Sequence, residues 1–298
     1  MNKFLLLGAM VLMSLLGFSQ EKSTTIVDSY GKTQLQGPMH VEALRDTPFV
    51  SWYQANYQGY QPSEALVEKS RSLVKSMKVE VFLGTWCGDS KREVPRFMKL
   101  MDKLGVAEEQ VELIAVSRAD TLYKKSPSHE QQGKLVHRVP TFIVYQEGQE
   151  VGRIVEFPVT SMEMDLAQIL HGLPTDPHYK VVHLLAKELL KQEISSDSSG
   201  KILELARSLY KQGMHDGELN TYGYYLMAND RLDDALIAFR VNAMLYPDVP
   251  NVYDSLGEAY AKAKKYEKAI HMYAKCLELA ADNRHAQIQI AQLQEKLN

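Results

Sequence analysis

Trp86-Cys87-Gly88-Asp89-Ser90-Lys91 is the stretch on which the reading of this chain turns. The residues before it, Val79-Glu80-Val81-Phe82-Leu83, read as a short buried strand. Those after it carry apolar side chains at helical spacing: Val94, Phe97, Met98 and Met101. A thiol at a strand-to-helix handover faces unpaired backbone N–H groups and the positive end of the helix dipole. Both favour thiolate over thiol, which makes Cys87 a candidate nucleophile at neutral pH. A cysteine three residues further on would complete a redox pair, but that position holds Ser90.

Outward from this turn the pattern alternates. Glu64 to Met77 reads as an amphipathic helix with Leu66, Val67 and Val74 on one side, and a helix over 90–104 is followed by a strand from Val111 to Val116. Asp120 to Gly133 is polar and is expected to be a solvated surface loop. The apolar run Val139-Pro140-Thr141-Phe142-Ile143-Val144-Tyr145 then leads to a hairpin turn at Gln146-Glu147-Gly148-Gln149. A returning strand over Val151 to Phe157 and a helix from Ser161 to His171 close the unit. This is the pattern of a small α/β sheet domain over 63–173. Residues 20–62, with Phe49, Trp52, Tyr53, Tyr57 and Tyr60 clustered after Pro48, are predicted to form a short helical extension packing onto it. Leu173-Pro174-Thr175-Asp176-Pro177 marks the boundary, and the rest is predicted all-helical, with linker helices in 174–217.

A repeat fills the last part of the chain. Gly223, Ala235 and Phe239 recur 34 residues later as Gly257, Ala269 and Tyr273. That period, with small residues where helices cross and an aromatic filling the groove between pairs, is the tetratricopeptide signature. It gives units at 218–251 and 252–285 within 218–298; Pro247 ends the first, and Ala281 stands at the matching place in the second. Two units are fewer than usually stack alone, so the helices over 178–193 and 198–212 are expected to extend the array, or the array to dock on the sheet domain. Such arrays offer a concave groove, which points to protein or peptide partners. Cys276 lies seven residues after Ala269 and reads as a small buried hydrophobe.

Composition narrows the class. The chain has 298 residues, 45% of them hydrophobic, and a formal charge of −3 without long blocks of one sign. Neither a nucleic-acid footprint nor affinity for an anionic membrane surface is expected. Met1-Asn2-Lys3, the apolar run from Phe4 to Phe18 and small residues at Gly17 and Ser19 read as a secretory signal over 1–19. The apolar run, about 15 residues, is short against the roughly 20 of a membrane span. The mature chain is therefore expected to be exported, periplasmic or extracellular, with no membrane anchor after cleavage. Two cysteines cannot build a disulfide scaffold, and the nine histidines show no ligand spacing, so neither a metal nor another cofactor is expected.

Trp86-Cys87-Gly88-Asp89-Ser90-Lys91, with Pro95 eight residues after Cys87 and with Val139-Pro140-Thr141-Phe142, resembles the thioredoxin family over about residues 63–172. The resemblance implies an α/β thioredoxin-like sandwich followed by the all-α tetratricopeptide array. It also implies a cis peptide at Pro140, opposite the cysteine, with the Val139 backbone available to an extended substrate and Trp86 as an apolar wall. On this reading Cys87, Ser90, Trp86 and Pro140 form the reacting centre, and Val139, Trp86 and Gly88 line the substrate path. Lys91 and Arg92 would add positive charge, partly offset by Asp89.

Two departures narrow the chemistry. Ser90 replaces the resolving cysteine, although its hydroxyl is able to hydrogen-bond the thiolate. Val81 stands where strong reductases of the family keep a buried acid, six residues before the first cysteine. Gly84, where peroxidatic cysteines have Thr or Ser three residues earlier, disfavours a peroxidase. What remains is monothiol exchange, isomerisation or mixed-disulfide capture of cysteine-bearing clients, reset by an external thiol reductant. The competing reading is a protein-interaction scaffold or chaperone-like binder in which Cys87 is vestigial. His137, in the loop before Pro140, is expected at the solvated surface.

Overall fold

A computed structural model describes residues 23–28, 31–118, 124–173, 178–213 and 215–297. The expected signal over 1–19 lies outside these residues, as do 174–177 of the expected boundary.

Six strands form one sheet: β1 (Thr24–Val27), β2 (Thr33–Met39), β3 (Met77–Leu83), β4 (Val111–Ala115), β5 (Thr141–Gln146) and β6 (Gln149–Val155), in the order β1-β2-β4-β3-β5-β6. β3 lies inside the sheet, parallel to β4 and antiparallel to β5, with Val81 between Leu113 and Phe142. Both its faces are covered, which is why Val79, Val81, Phe82 and Leu83 run nearly unbroken as apolar residues. The parallel pair needs a crossover, supplied by the long helix α3 (Gly88–Leu104) once α1 (Val50–Gly59) and α2 (Glu64–Ser70) have been laid down before β3. Glu147 and Gly148, at φ 50° and 77°, make the tight two-residue hairpin between β5 and β6. α4 (Met162–Leu170) closes the layer on the side of α3, where Phe97 meets the Phe142 ring at 4.8 Å between centroids.

The N-terminal extension differs from its reading as helix. Residues 24–39 are two strands, and β2 pairs antiparallel with β4 through Gly37↔Ala115, Pro38↔Ile114 and Met39↔Leu113. The edge of β4 needs a partner for its backbone groups, and that demand comes from 74 to 78 residues away in sequence. Gly37 and Pro38 weaken the local strand signal, with Gly37 at φ 85°. The sheet domain therefore begins near residue 24 rather than 63. Among the described residues of the expected helical segment, α1 and a short 3-10 turn at Val41–Leu44 are helical. α2 also stops at Ser70 instead of running to Met77.

The remaining helices stack in pairs: α5 (Lys180–Leu190) with α6 (Ser199–Leu209), α7 (Gly217–Ala228) with α8 (Leu232–Leu245), α9 (Pro250–Lys262) with α10 (Tyr266–Leu279), and α11 (Arg284–Leu297) last. α5 and α6 share one apolar core with the repeats, so 174–217 supplies a further helical pair and not only a linker. The 34-residue period has a direct steric cause. A Cβ on Gly223 would lie 2.5 Å from the Phe239 ring, and one on Gly257 2.9 Å from Tyr273. Cys276 is fully buried in this core and accepts from the Asn283 amide at 3.3 Å; burial pushes its thiol pKa up. No helix among the described residues is long and apolar enough to cross a membrane.

The array and the sheet domain meet. Val155 belongs to the array's apolar core, and Leu135 packs against it. Arg138 donates to Glu156 at 3.2 Å and to Thr221 of α7 at 2.8 Å, and its guanidinium lies 5.0 Å from the Tyr179 ring centre. Tyr179 in turn donates to Glu156. His137, expected at the surface, has 0% exposure and sits against Tyr179, His183 and Tyr222, with ring centroids at 5.4, 6.1 and 6.1 Å. The residues that bury it come from the other half of the chain, which no local pattern could reveal.

Two outcomes follow from this packing. Gly223→Ala should cost about 1–3 kcal/mol by overpacking against Phe239, read as a lower urea midpoint. Burial, with His183 next in weight, holds His137 well below its usual 6.5. The folded chain keeps it neutral while the unfolded chain takes up a proton, so stability is full above about 6.5 and falls as pH drops from there towards the folded value. His137→Phe should flatten that acid limb in denaturation midpoints measured across pH; an unchanged limb would remove His137 from the account.

Candidate functional site around Cys87

Cys87 is the N-cap of α3, with extended backbone at φ −86° and ψ 131°, and its carbonyl accepts the Lys91 N–H at 3.1 Å. Its side chain makes no capping bond. The sulfur is partly exposed at the head of a 17-residue helix, where orphan N–H groups and the macrodipole favour negative charge. Gly88, next along, is exposed with open space around it.

The turn is held by its neighbours. Cys87 N–H donates to the Gly84 carbonyl at 2.9 Å, and the Gly84 N–H donates to Ser90 Oγ at 3.1 Å. Ser90 is wholly buried, so its hydroxyl oxygen serves the backbone of the turn and not the Cys87 sulfur, as had been expected. Trp86 folds back over Gly84, where any Cβ would lie 2.6 Å from the indole, and its Nε1 donates to the Val116 carbonyl at 2.9 Å. Thr85, also buried, accepts the Leu35 N–H of β2 at 3.1 Å, so the added strands brace the same turn.

The Val139–Pro140 peptide is cis, and the Val139 carbonyl accepts the Cys87 thiol at 3.1 Å. Cys87, Trp86, Val139 and Pro140 are thus brought together. Val139 is only 2% exposed, and its carbonyl becomes available to a substrate chain only when the thiol lets go. Phe82, Ile114, Val116, Val136, Val139 and Ile143 form an apolar floor beneath the sulfur.

Charge is distributed differently from the expectation. Arg92 is engaged by Asp89 at 2.8 Å and by the buried Glu93 at 2.5 Å, which also pairs with Arg96 at 3.2 Å. The buried cation at the site is Lys124, 4% exposed, whose ammonium donates to the His137 carbonyl at 2.6 Å. Burial, helped by Arg138, brings its pKa down to about 8; Glu156 and Cys87 act the other way. The described part of the expected loop, 124–133, is therefore not uniformly solvated: Lys124, Ser126 and Gln131 are buried, and Ser126 N–H and Oγ both bond the Gln131 side chain.

Lys124, Thr85, Arg138 and Glu156 were not singled out from sequence. A lysine in a charged loop and a threonine in a turn carry no local mark of burial. Elsewhere, His40, Glu42 and Glu108 bring possible ligand atoms within 4.8 Å of one another, but all three are exposed and His40 Nδ1 already lies 3.3 Å from Glu108.

Comparison with known proteins fits this geometry. The family model described as Thioredoxin matches residues 50–168, and that segment is thioredoxin-like. No curated protein sequence matches the chain. Among solved structures, "First TPR of Spaghetti (RPAP3) bound to HSP90 peptide SRMEEVD" matches at 21% identity over 40% of this chain and 93% of that chain, with a TM-score of 0.28. The tetratricopeptide-like character of the C-terminal helices rests on their own period and packing.

Ser90→Ala should leave the Gly84 N–H buried without an acceptor. The expected loss is about 1–3 kcal/mol in denaturant unfolding. A loss near zero would mean that the turn does not depend on this hydroxyl.

Proposed function

We propose that this is an exported thioredoxin-like protein that handles disulfides with Cys87 alone and recruits protein clients through its helical array. The observation that carries the reading is the seat of Cys87: a partly exposed thiol at a helix N-terminus, 3.1 Å from the carbonyl that precedes a cis-proline strand. The export half of the reading rests on the apolar N-terminal sequence.

The chemistry has two balanced steps. The Cys87 thiolate attacks one sulfur of a client disulfide; a new S–S bond forms to Cys87, the client S–S bond breaks, and the departing sulfur leaves as a thiolate that takes up a proton. Ser90 has no thiol with which to resolve this intermediate. A second client cysteine can attack and return Cys87, which isomerises the client without net redox change. Alternatively, an external thiol attacks, and with a further equivalent it leaves the client reduced. The apolar floor and Trp86 would shield the mixed disulfide from water, and the Val139 carbonyl, once vacated, would accept an N–H from the extended client.

One observation favours the scaffold reading. The thiol is already engaged by a backbone carbonyl of the protein itself. The same experiment separates the two. Incubated with glutathione disulfide and quenched by alkylation, the chain should carry one glutathione adduct at Cys87, released by added dithiothreitol and missing in Cys87→Ser. Buried Cys276 should stay unmodified. No adduct at any pH between about 6 and 9 would leave the array as the working part. Client capture unchanged in Cys87→Ala would then identify a binder.

A further inference from the structure

Lys124 is the feature that the exchange reading does not use. Its backbone is fixed: Lys124 N–H donates to the Ser117 carbonyl at 2.9 Å, Ser117 N–H to the Lys125 carbonyl at 3.0 Å, and Lys124 itself has φ 57°. The pinched loop turns the side chain inward, and the ammonium ends on the His137 carbonyl at 2.6 Å. His137 and Val139 are two residues apart on the segment that leads into β5, and the Val139 carbonyl holds the Cys87 sulfur at 3.1 Å. The two carbonyls belong to residues two apart, and Cys87 is among the groups that act on the Lys124 charge, so ammonium and sulfur are held by one short stretch of backbone. Lys124 is buried, and there charges interact more strongly than they do in water.

Two nearby arginines are engaged. Arg92 lies between Asp89 and Glu93. Arg138 lies on Glu156 and Thr221, with the Tyr179 hydroxyl also on Glu156. His137 and His183 are kept neutral by burial.

We infer that Lys124 is a positioning residue for Cys87: its ammonium, anchored on the His137 carbonyl, offsets the charge of the thiolate when the sulfur gives up its proton and releases the Val139 carbonyl. The proton goes to solvent and the S–H bond alone is broken, so no further reagent is required. The inference gives the exchange reading its electrostatic basis and rests on that reading for its use.

The test is the pH dependence of Cys87 alkylation by iodoacetamide in the full chain. Peptide-level mass spectrometry keeps Cys276 separate. Lys124→Met, similar in length but uncharged, should move the midpoint up by about one pH unit, which slows alkylation at pH 7 about tenfold; Lys124→Arg should restore most of it. A purely structural role would leave the midpoint in place, and an unmoved midpoint in folded Lys124→Met overturns the inference. If Lys124→Met does not fold, the reciprocal measurement decides. Removing the thiolate with Cys87→Ser should lower the pH at which the Lys124 amine becomes open to acylation, and an unchanged value overturns the inference equally. Alkylation needs no disulfide. A shifted midpoint without any glutathione adduct would therefore keep Lys124 and end the exchange reading, while an adduct with an unmoved midpoint would do the reverse.

Discussion

The placement of the backbone over residues 137–140 governs the site. One carbonyl in it takes the Cys87 thiol and another takes the Lys124 ammonium. Thr141 Oγ1 donates to the Arg138 carbonyl at 2.7 Å and locks the entry to β5. From the other side, the His137 ring is packed among α5 and α7 residues, and Arg138 reaches Thr221. A segment held at every residue cannot drift relative to the sulfur. Thiol geometry of this kind tolerates little drift, because a donor–acceptor contact near 3 Å weakens within a few tenths of an ångström.

The helical array is therefore more than an appended recruiting surface. It supplies one wall of the pocket in which the segment 137–140 is set, and Val155 and Leu135 join the two halves in one apolar contact region. The faces of α5 and α7 that bury His137 are committed to the protein's own sheet domain. On the proposed reading, a client held by the array and the Cys87 thiol would sit on one body instead of on two tethered ones, which would raise the effective concentration of the client disulfide without any new contact.

What could be read from sequence was whatever had a local cause. Cys87 before a helical period, Pro95 inside it, Pro140 before an apolar run and the 34-residue recurrence of Gly223, Ala235 and Phe239 are all short-range signatures. The structure shows their causes: helix capping, strand entry, and aromatic rings packed against bare Cα atoms. What escaped was set at long range. β2 exists because β4 has an open edge. His137 is buried by rings 42 to 85 residues further on, and Lys124 by a loop that closes on Ser117. A polar residue in a polar stretch looks solvated until its partners are known.

Ser90 shows most sharply what a missing cysteine means. Read from the motif alone, it is a deletion of function. In the fold it is a fully buried hydroxyl that satisfies the Gly84 N–H, and Gly84 is the residue over which Trp86 folds to reach the Val116 carbonyl. A sulfur there would accept that hydrogen bond more weakly than oxygen does. The serine thus holds the turn that seats Cys87 while denying it an internal rescuer. On the proposed reading, the residue that keeps the turn in shape is also the one that makes release depend on a second thiol. Such a site would hold a mixed disulfide until a partner arrives, and the array beside it would give that waiting a use.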